Sequence, residues 1–278
     1  MFKLMRRWLS LGPAPVDPSA LRQWAQERGH SFRGVRGGAR GCVIEGHLGG
    51  QAWRIEWGAS QRSYIPGLEL RLIAELDLPQ ELMVLVLNHS LMAAMEKTVY
   101  EQFVDDVQTR IDTDTPSEMR WLVMFSKLSV QEMGRLQDRY AAVSSVATWL
   151  VPWLSSPLND ALAAAADLVG PEQPVALTIG RGRLTLRTAL PQPDGGGLAV
   201  WFSVFEHAIR EARRLRTEWR DAAGGGLTTQ PSAWSGQRAG AQPQPDAQPE
   251  PVVGEVGVPV GPQLIGGTPA GALAIAPQ

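Results

Sequence analysis

The spacing of hydrophobic and polar residues changes period several times between residues 17 and 220, and each change predicts an element. Leu21, Trp24 and Ala25 share one side of a helix that follows Asp17-Pro18, a capping residue and a first-turn proline, and stops at Gly29. The period then drops to two. Trp53, Ile55 and Trp57 alternate with Arg54 and Glu56, and CVIEGH precedes them across LGGQ, which predicts a β-hairpin. In GLELRLIAEL the residues Leu68, Leu70, Leu72, Ala74 and Leu76 point one way and Glu69, Arg71 and Glu75 the other. That is the pattern of a half-exposed antiparallel strand. LMVLVL lacks polar alternation and predicts a more deeply buried strand, after which Asn88 is placed to cap a helix with the stripe Leu91, Met92, Met95, Val99 and Phe103.

Thr115-Pro116-Ser117-Glu118 and Ser129-Val130-Gln131-Glu132 both have the spacing of a capping box. Met133, Leu136, Tyr140, Val143, Ala147 and Leu150 keep a three-four spacing up to Pro152, yet YAAVSSV fits a short strand equally well. A helix through SPLNDALAAAADLVG leads into PVALTIGRGRLTLRTAL, a hairpin turning at Gly180-Arg181-Gly182. Val175, Leu177, Ile179, Leu184 and Leu186 lie on one side of it, and Arg183, Thr185 and Arg187 on the other. A long helix follows, with the stripe Leu198, Trp201, Phe202, Phe205, Ile209, Ala212 and Leu215. Arg210, Arg213, Arg214 and Arg216 crowd its C-terminal half, where they complement the helix dipole.

Helix, hairpin, helix therefore occurs twice, which predicts an α+β protein of small antiparallel sheets with packed amphipathic helices. The expected organisation is a basic amphipathic segment (1–13), a first α+β module (14–112), a helical connector (113–154), a second α+β module (155–220) and a tail (221–278). That tail is rich in Gly, Pro, Ala and Gln and has no apolar period, so it is expected to be disordered. The run DRYAAVSSVATWLVPWLSSPLNDAL followed by VALTIGRGRLTLRT resembles the end of an uncharacterised bacterial domain. In that domain an aromatic strand, a short helix, a leucine-proline step and a paired strand come in the same order. Trp149 to Trp153 departs from its leucine-rich pattern. The family has no assigned activity, so the resemblance implies a fold and nothing about function.

Composition narrows the function classes. A formal charge of −2 over 278 residues supplies no global attraction to nucleic acid or anionic membranes. The apolar stretches Leu82–Leu87 and Val146–Leu154 are too short to span a bilayer. A single cysteine, Cys42, rules out an internal disulfide framework and suits a reducing cytoplasm. MFKLMRRWLSL lacks the long apolar core of a secretory signal. As a short basic helix, Met1–Leu11 could rest on a membrane surface.

The chemistry-bearing candidates are few. SFRGVRGGARG has no Gly-Lys-Ser/Thr ending, and its glycines miss the dinucleotide-binding spacing, so neither phosphate loop fits. Arg33, Arg36 and Arg40 remain as an anion-contacting patch, with Phe32 available to stack on an RNA base. His30, His47, His89 and His207 share no ligand spacing, and the aspartates 105, 106, 112 and 114 lack the glycine and terminal glutamate of a calcium loop. Cys42 has no base in its motif, and no nucleophile elbow occurs. Glu45 and Glu56 are expected to pair with arginines. The loop GASQRSYIPG would hold Gln61, Arg62 and Tyr64 at a rigid edge suited to a partner.

The reading that results is a cytoplasmic, non-enzymatic binding or scaffolding module with no cofactor and no small-molecule substrate. Its partner is expected to be a protein or a second copy of itself, and secretion-chaperone-like folds supply the analogy. The alternatives are a peripheral membrane protein acting through Met1–Leu11, and a weak RNA binder acting through the arginine patch.

Overall fold

The computed structural model describes residues 17–35, 41–105 and 116–223, the side chains of 102–105 and 219–223 excepted. All of them belong to one compact unit, residues 1–236. In chain order the elements are α1 (Ser19–Glu27), β1 (Ser31–Gly34), β2 (Gly41–Leu48), β3 (Gln51–Ala59), β4 (Leu68–Glu75), β5 (Val84–Asn88), α2 (His89–Asp105), α3 (Ser117–Met124) and α4 (Val130–Met133). They continue with β6 (Tyr140–Ser144), α5 (Ala147–Leu154), α6 (Pro157–Leu168), β7 (Val175–Gly180), β8 (Arg183–Ala189) and α7 (Gly195–Ala223). The α+β class follows directly.

The eight strands form one antiparallel sheet in the order β1-β2-β3-β4-β8-β7-β5-β6, rather than two small ones. The first four strands make a meander, and the β7–β8 hairpin inserts between β4 and β5. What joins the halves is β4 against β8, with Leu72 opposite Leu186 and Arg71 opposite Arg187. Both two-residue turns, Gly49-Gly50 and Arg181-Gly182, have positive φ at each position, the geometry that matches strand twist. At Gly182 a side chain is also excluded by space, because an added Cβ would lie 3.0 Å from the Leu76 carbonyl oxygen. The β4–β5 connection passes there, its backbone N–H at Leu76 donating to the Gly182 carbonyl at 2.6 Å.

The strict alternation of the strands divides the sheet into two unlike faces. One carries Ile44, Trp53, Ile55, Trp57, Leu70, Leu72, Leu184, Leu186, Leu177 and Val86 and packs in one cluster with buried residues of α1, α4, α5, α6 and α7. Trp57, Trp149, Trp153 and Trp201 are fully buried in it. Each such indole removes about 200 Å² from water, an upper bound of about 5 kcal/mol of transfer free energy. Trp57 and Trp153 satisfy their indole N–H on the carbonyls of Leu190 (2.8 Å) and Ala208 (3.1 Å). On the other face, Leu85, Leu87, Val143 and Ala176 meet Leu91, Met92 and Met95 of α2 and Met119 of α3.

Several local expectations are corrected. The stretch 113–154, read as a helical connector, contributes β6 to the sheet, because Tyr140–Ser144 pairs along its whole length with β5. Asn88 does not cap α2. Its side-chain oxygen accepts from the Val175 backbone N–H (2.9 Å), and its amide donates to Ser90 Oγ and the Pro171 carbonyl (both 2.8 Å), tying β5 to the start of β7. The capping box at Ser129 and Glu132 forms as read, with both reciprocal hydrogen bonds. At the other box the N-cap is Pro116, without a side-chain cap, and Glu118 is used elsewhere. β4 is not half-exposed, since Glu69 and Arg71 are buried, as are Thr185 and Arg187 beside them on β8. The arginines of α7 do more than complement its dipole: Arg213 donates to the Gly49 carbonyl (2.8 Å) and Arg216 pairs with Asp77 (2.6 Å), fastening the helix to the strand turns. Asp221–Ala223 complete α7, and the rest of the expected tail lies outside the described residues, as does Met1–Leu11.

Candidate functional site

The second face of the sheet changes character midway. Over β5, β6 and β7 it is apolar and covered by α2 and α3. Over β1 to β4 and β8 the same alternation places Arg33, Glu45, Arg54, Glu56, Glu69, Arg71, Glu75, Arg183 and Arg187 side by side. Cross-strand neighbours of opposite charge then pair. Arg33 meets Glu45 at 2.7 Å, Arg54 reaches Glu45 at 4.0 Å and Glu56 at 2.6 Å, and Arg71 closes on Glu56 from the other side. Arg187 pairs with Glu69, and Arg183 with Glu75 at 2.5 Å. Glu45 and Glu56 thus pair with arginines as expected, and three arginines (33, 54 and 71) share those two carboxylates.

Arg71 stands directly opposite Arg187, a like-charge pair across β4 and β8. Burial, then the nearby guanidiniums of Arg187 and Arg54, lower the Arg71 pKa to about 10. Its Nε is buried with no hydrogen-bond partner. The cationic character of this face is therefore concentrated where three guanidiniums approach one another.

The loop between β3 and β4 closes one end of this face. Gly67 takes positive φ and Ser60 N–H donates to the Gly67 carbonyl at 3.0 Å, which holds the loop shut. Inside it, the free oxygen of Glu69 accepts from the Gln61 backbone N–H at 2.9 Å. Arg62 Nε and Tyr64 Oη both donate to Glu118 Oε1 of α3, each at 3.2 Å. Glu118 is buried, so this junction is a hidden polar tie between the loop and α3. Burial first, and then the Glu118 carboxylate, push the Tyr64 hydroxyl well above its ordinary pKa, so it stays protonated and remains a donor. Farther along α3, the Trp121 ring lies over β7, where a Cβ on Gly180 would approach it to 2.6 Å.

Of the residues singled out in the sequence, Arg62 and Tyr64 come together through Glu118, while Gln61 remains exposed. Arg33 lies apart from them on the edge strand β1, paired with Glu45. Arg36 and Arg40 fall outside the described residues. Arg33, Gly34, Val35, Val43 and Arg54 line an open hollow of about 660 Å³ at an end of this sheet face that no described helix covers. Sequence reasoning missed Glu118, Glu69, Arg71 and Arg187 as members of a site. Cys42 lies on the opposite face, buried, its thiol pushed up to about 12 by burial, with Arg22 opposing. Among the described residues no three His, Cys, Asp or Glu side chains cluster as metal ligands, and no helix is long and apolar enough to cross a membrane.

No family model matches the chain, and no curated protein matches it. Among solved structures it is similar to the mycobacterial trehalose monomycolate transport factor A, TtfA, with a TM-score of 0.37 and 10% sequence identity over 71% of this chain and 93% of that one. So distant a likeness singles out no family and no specific domain.

Proposed function

We propose that this chain is a non-enzymatic protein-binding module of the cytoplasm, and that it takes its partner on the uncovered half of the charged sheet face. One observation carries this reading. Helices cover the second face over β5 to β7 and, among the described residues, none packs on β2 and β3, whose outward side chains form an ordered row of ion pairs. Exposed ion pairs of this kind contribute little to stability, about 0–1 kcal/mol each. Such a row suits recognition, where complementary charge sets register and encounter rate. The row ends at β1, a four-residue edge strand whose outer backbone groups have no neighbouring strand among the described residues, which suits an added partner strand. The module requires no cofactor in this reading. The RNA reading is weaker because Phe32, the residue expected to stack on a base, packs against the core cluster and carries the Arg22 guanidinium over its ring at 4.9 Å.

The test is site-specific photo-crosslinking from the open face. A crosslinker at Val43 is expected to capture one defined protein, or a second copy of the chain, that a crosslinker at the exposed turn residue Arg181 does not. Equal capture from both positions, with a strict monomer by light scattering, refutes the reading.

A further inference from the structure

The guanidiniums of the open face stand farther out than the carboxylates they pair with. Arg33 and Arg54 keep 65% and 48% of their side-chain surface exposed, against 38% for Glu45 and 21% for Glu56. Beneath them, Arg71 and Arg187 are sunk, with 11% and 9% exposed, and their acidic partners among the described residues, Glu56 and Glu69, are shared with Arg54 and with the loop backbone. An approaching ligand therefore meets guanidinium groups first, and the nearest carboxylates are already occupied. The hollow between Arg33 and Arg54 adds two apolar walls, Val43 and Val35, the latter 47% exposed.

Resting on the docking reading above, we propose that the segment received on this face is acidic, and that its carboxylates seat against Arg33 and Arg54 over the Val35–Val43 hollow. Two facts favour this charge. Arg33, Arg54 and Arg71 hold only two carboxylates among them, so one more anion completes the alternation. Arg71 and Arg187 also stand side by side under the same spot, and Arg71 shares its carboxylate, Glu56, with Arg54. Guanidinium forks also match carboxylate geometry, which a basic segment could not exploit.

The experiment titrates the full chain with a fluorescent hexaglutamate peptide, and separately with hexalysine, a single-stranded RNA hexamer and anionic phosphatidylserine vesicles. Hexaglutamate is expected to bind, and to weaken at least about tenfold between 0.05 and 0.5 M salt. Arg54→Gln and Arg33→Gln should each weaken binding about three- to fivefold. Glu45→Gln removes a competing carboxylate and should tighten it by a similar factor, a gain that misfolding does not produce. Thermal melts of all three variants verify the fold. The proposal is overturned if hexaglutamate fails to bind, or if its binding is indifferent to these three substitutions. It is equally overturned if hexalysine, RNA or vesicles bind more tightly than hexaglutamate. Partner capture from Val43 that persists while hexaglutamate fails leaves the docking reading intact and removes the acidic partner.

Discussion

Replacing Glu118 tests whether the tie between α3 and the β3–β4 loop is structural. The carboxylate is 5% exposed as a side chain and its Oε1 accepts from both Arg62 and Tyr64 at 3.2 Å, while Ser117 Oγ donates to Oε2 at 3.3 Å. Hydrogen bonds to a charged group contribute about 1.5–3 kcal/mol each, and these are long, so the lower end applies. Glu118→Gln keeps an acceptor oxygen in place and removes the charge, which costs about half of two such bonds, about 1.5 kcal/mol. Arg62 is 28% exposed and regains some water, so the cost does not reach the 3–5 kcal/mol of a fully buried broken pair. Glu118→Ala also strands the Tyr64 hydroxyl and should cost about 3 kcal/mol. For a folded part of about 200 residues, 1 kcal/mol moves Tm by about 2–4 °C, so Glu118→Gln should melt about 3–6 °C lower. Urea unfolding with a double-mutant cycle against Arg62→Met should return a coupling of about 1–2 kcal/mol. Hydrogen exchange should quicken over Ser117–Met124 and not over β2 and β3. A coupling below about 0.3 kcal/mol, or a loss of protection spread evenly over the sheet, would show that this carboxylate does not hold α3 in place.

Other sites give sharper contrasts. A Cβ on Gly46 would sit 2.3 Å from the Trp53 ring and 2.8 Å from His30 Nδ1, so Gly46→Ala should destabilise by about 1–3 kcal/mol in chemical unfolding; a neutral result would mean that the His30–Trp53 contact yields freely. Because folding raises the Tyr64 pKa, the stability it contributes is complete below its unfolded value of about 10 and is lost as pH rises above it; Tyr64→Phe should therefore flatten the decline in urea midpoint between pH 9 and 11, and an unchanged slope would count against a buried, protonated phenol. With its pKa pushed from 9.0 to about 12, Cys42 should hold about a thousandfold less thiolate in the folded chain, so a disulfide reagent at pH 8 should label the single thiol only after denaturant is added. Arg71→Met leaves Glu56 paired with Arg54 and removes an unpartnered Nε, so it should be neutral or up to about 1 kcal/mol stabilising, whereas Arg187→Met takes the arginine from buried Glu69 and should cost about 3 kcal/mol; equal effects from the two in urea unfolding would contradict the unequal pairing.

The alternation in 68–76 and 183–187 already separated apolar from charged positions, and the register confirms which residues share a face. What alternation cannot express is burial of the charged side, because α3, which ties down the 60–67 loop through Glu118, comes from elsewhere in the chain. Glu118 illustrates this. The local string Thr-Pro-Ser-Glu has capping spacing, but the carboxylate's partners lie 54 and 56 residues away, so nothing near it in sequence distinguishes it from Glu132, which does cap. Tyr140–Ser144 was ambiguous because a three-four spacing and an alternation coexist there, and only pairing with β5 decides between them. The union of the two hairpin systems was equally invisible, since both β4 and β8 look like acceptable edges until they meet.

That meeting contains a conflict. Placing Arg71 opposite Arg187 costs about 0.2–1 kcal/mol relative to a neutral pair. Moving β8 two residues along β4 would set Glu69 opposite Arg187 and Arg71 opposite Thr185, and the leucines of the core face would still align, because a shift of two preserves the faces. The chain instead keeps the costly register, anchored by the Leu76 contact with the Gly182 turn and by Glu75 on Arg183. Departures from local consistency concentrate where a protein does something other than fold. Here the register sets Arg187 beside Arg71, which with Arg54 and Arg33 makes a row of guanidiniums leading to the edge strand β1. At its inner end that row comes within electrostatic reach of Tyr64, so the cost of the register falls beside the Tyr64–Glu118 tie.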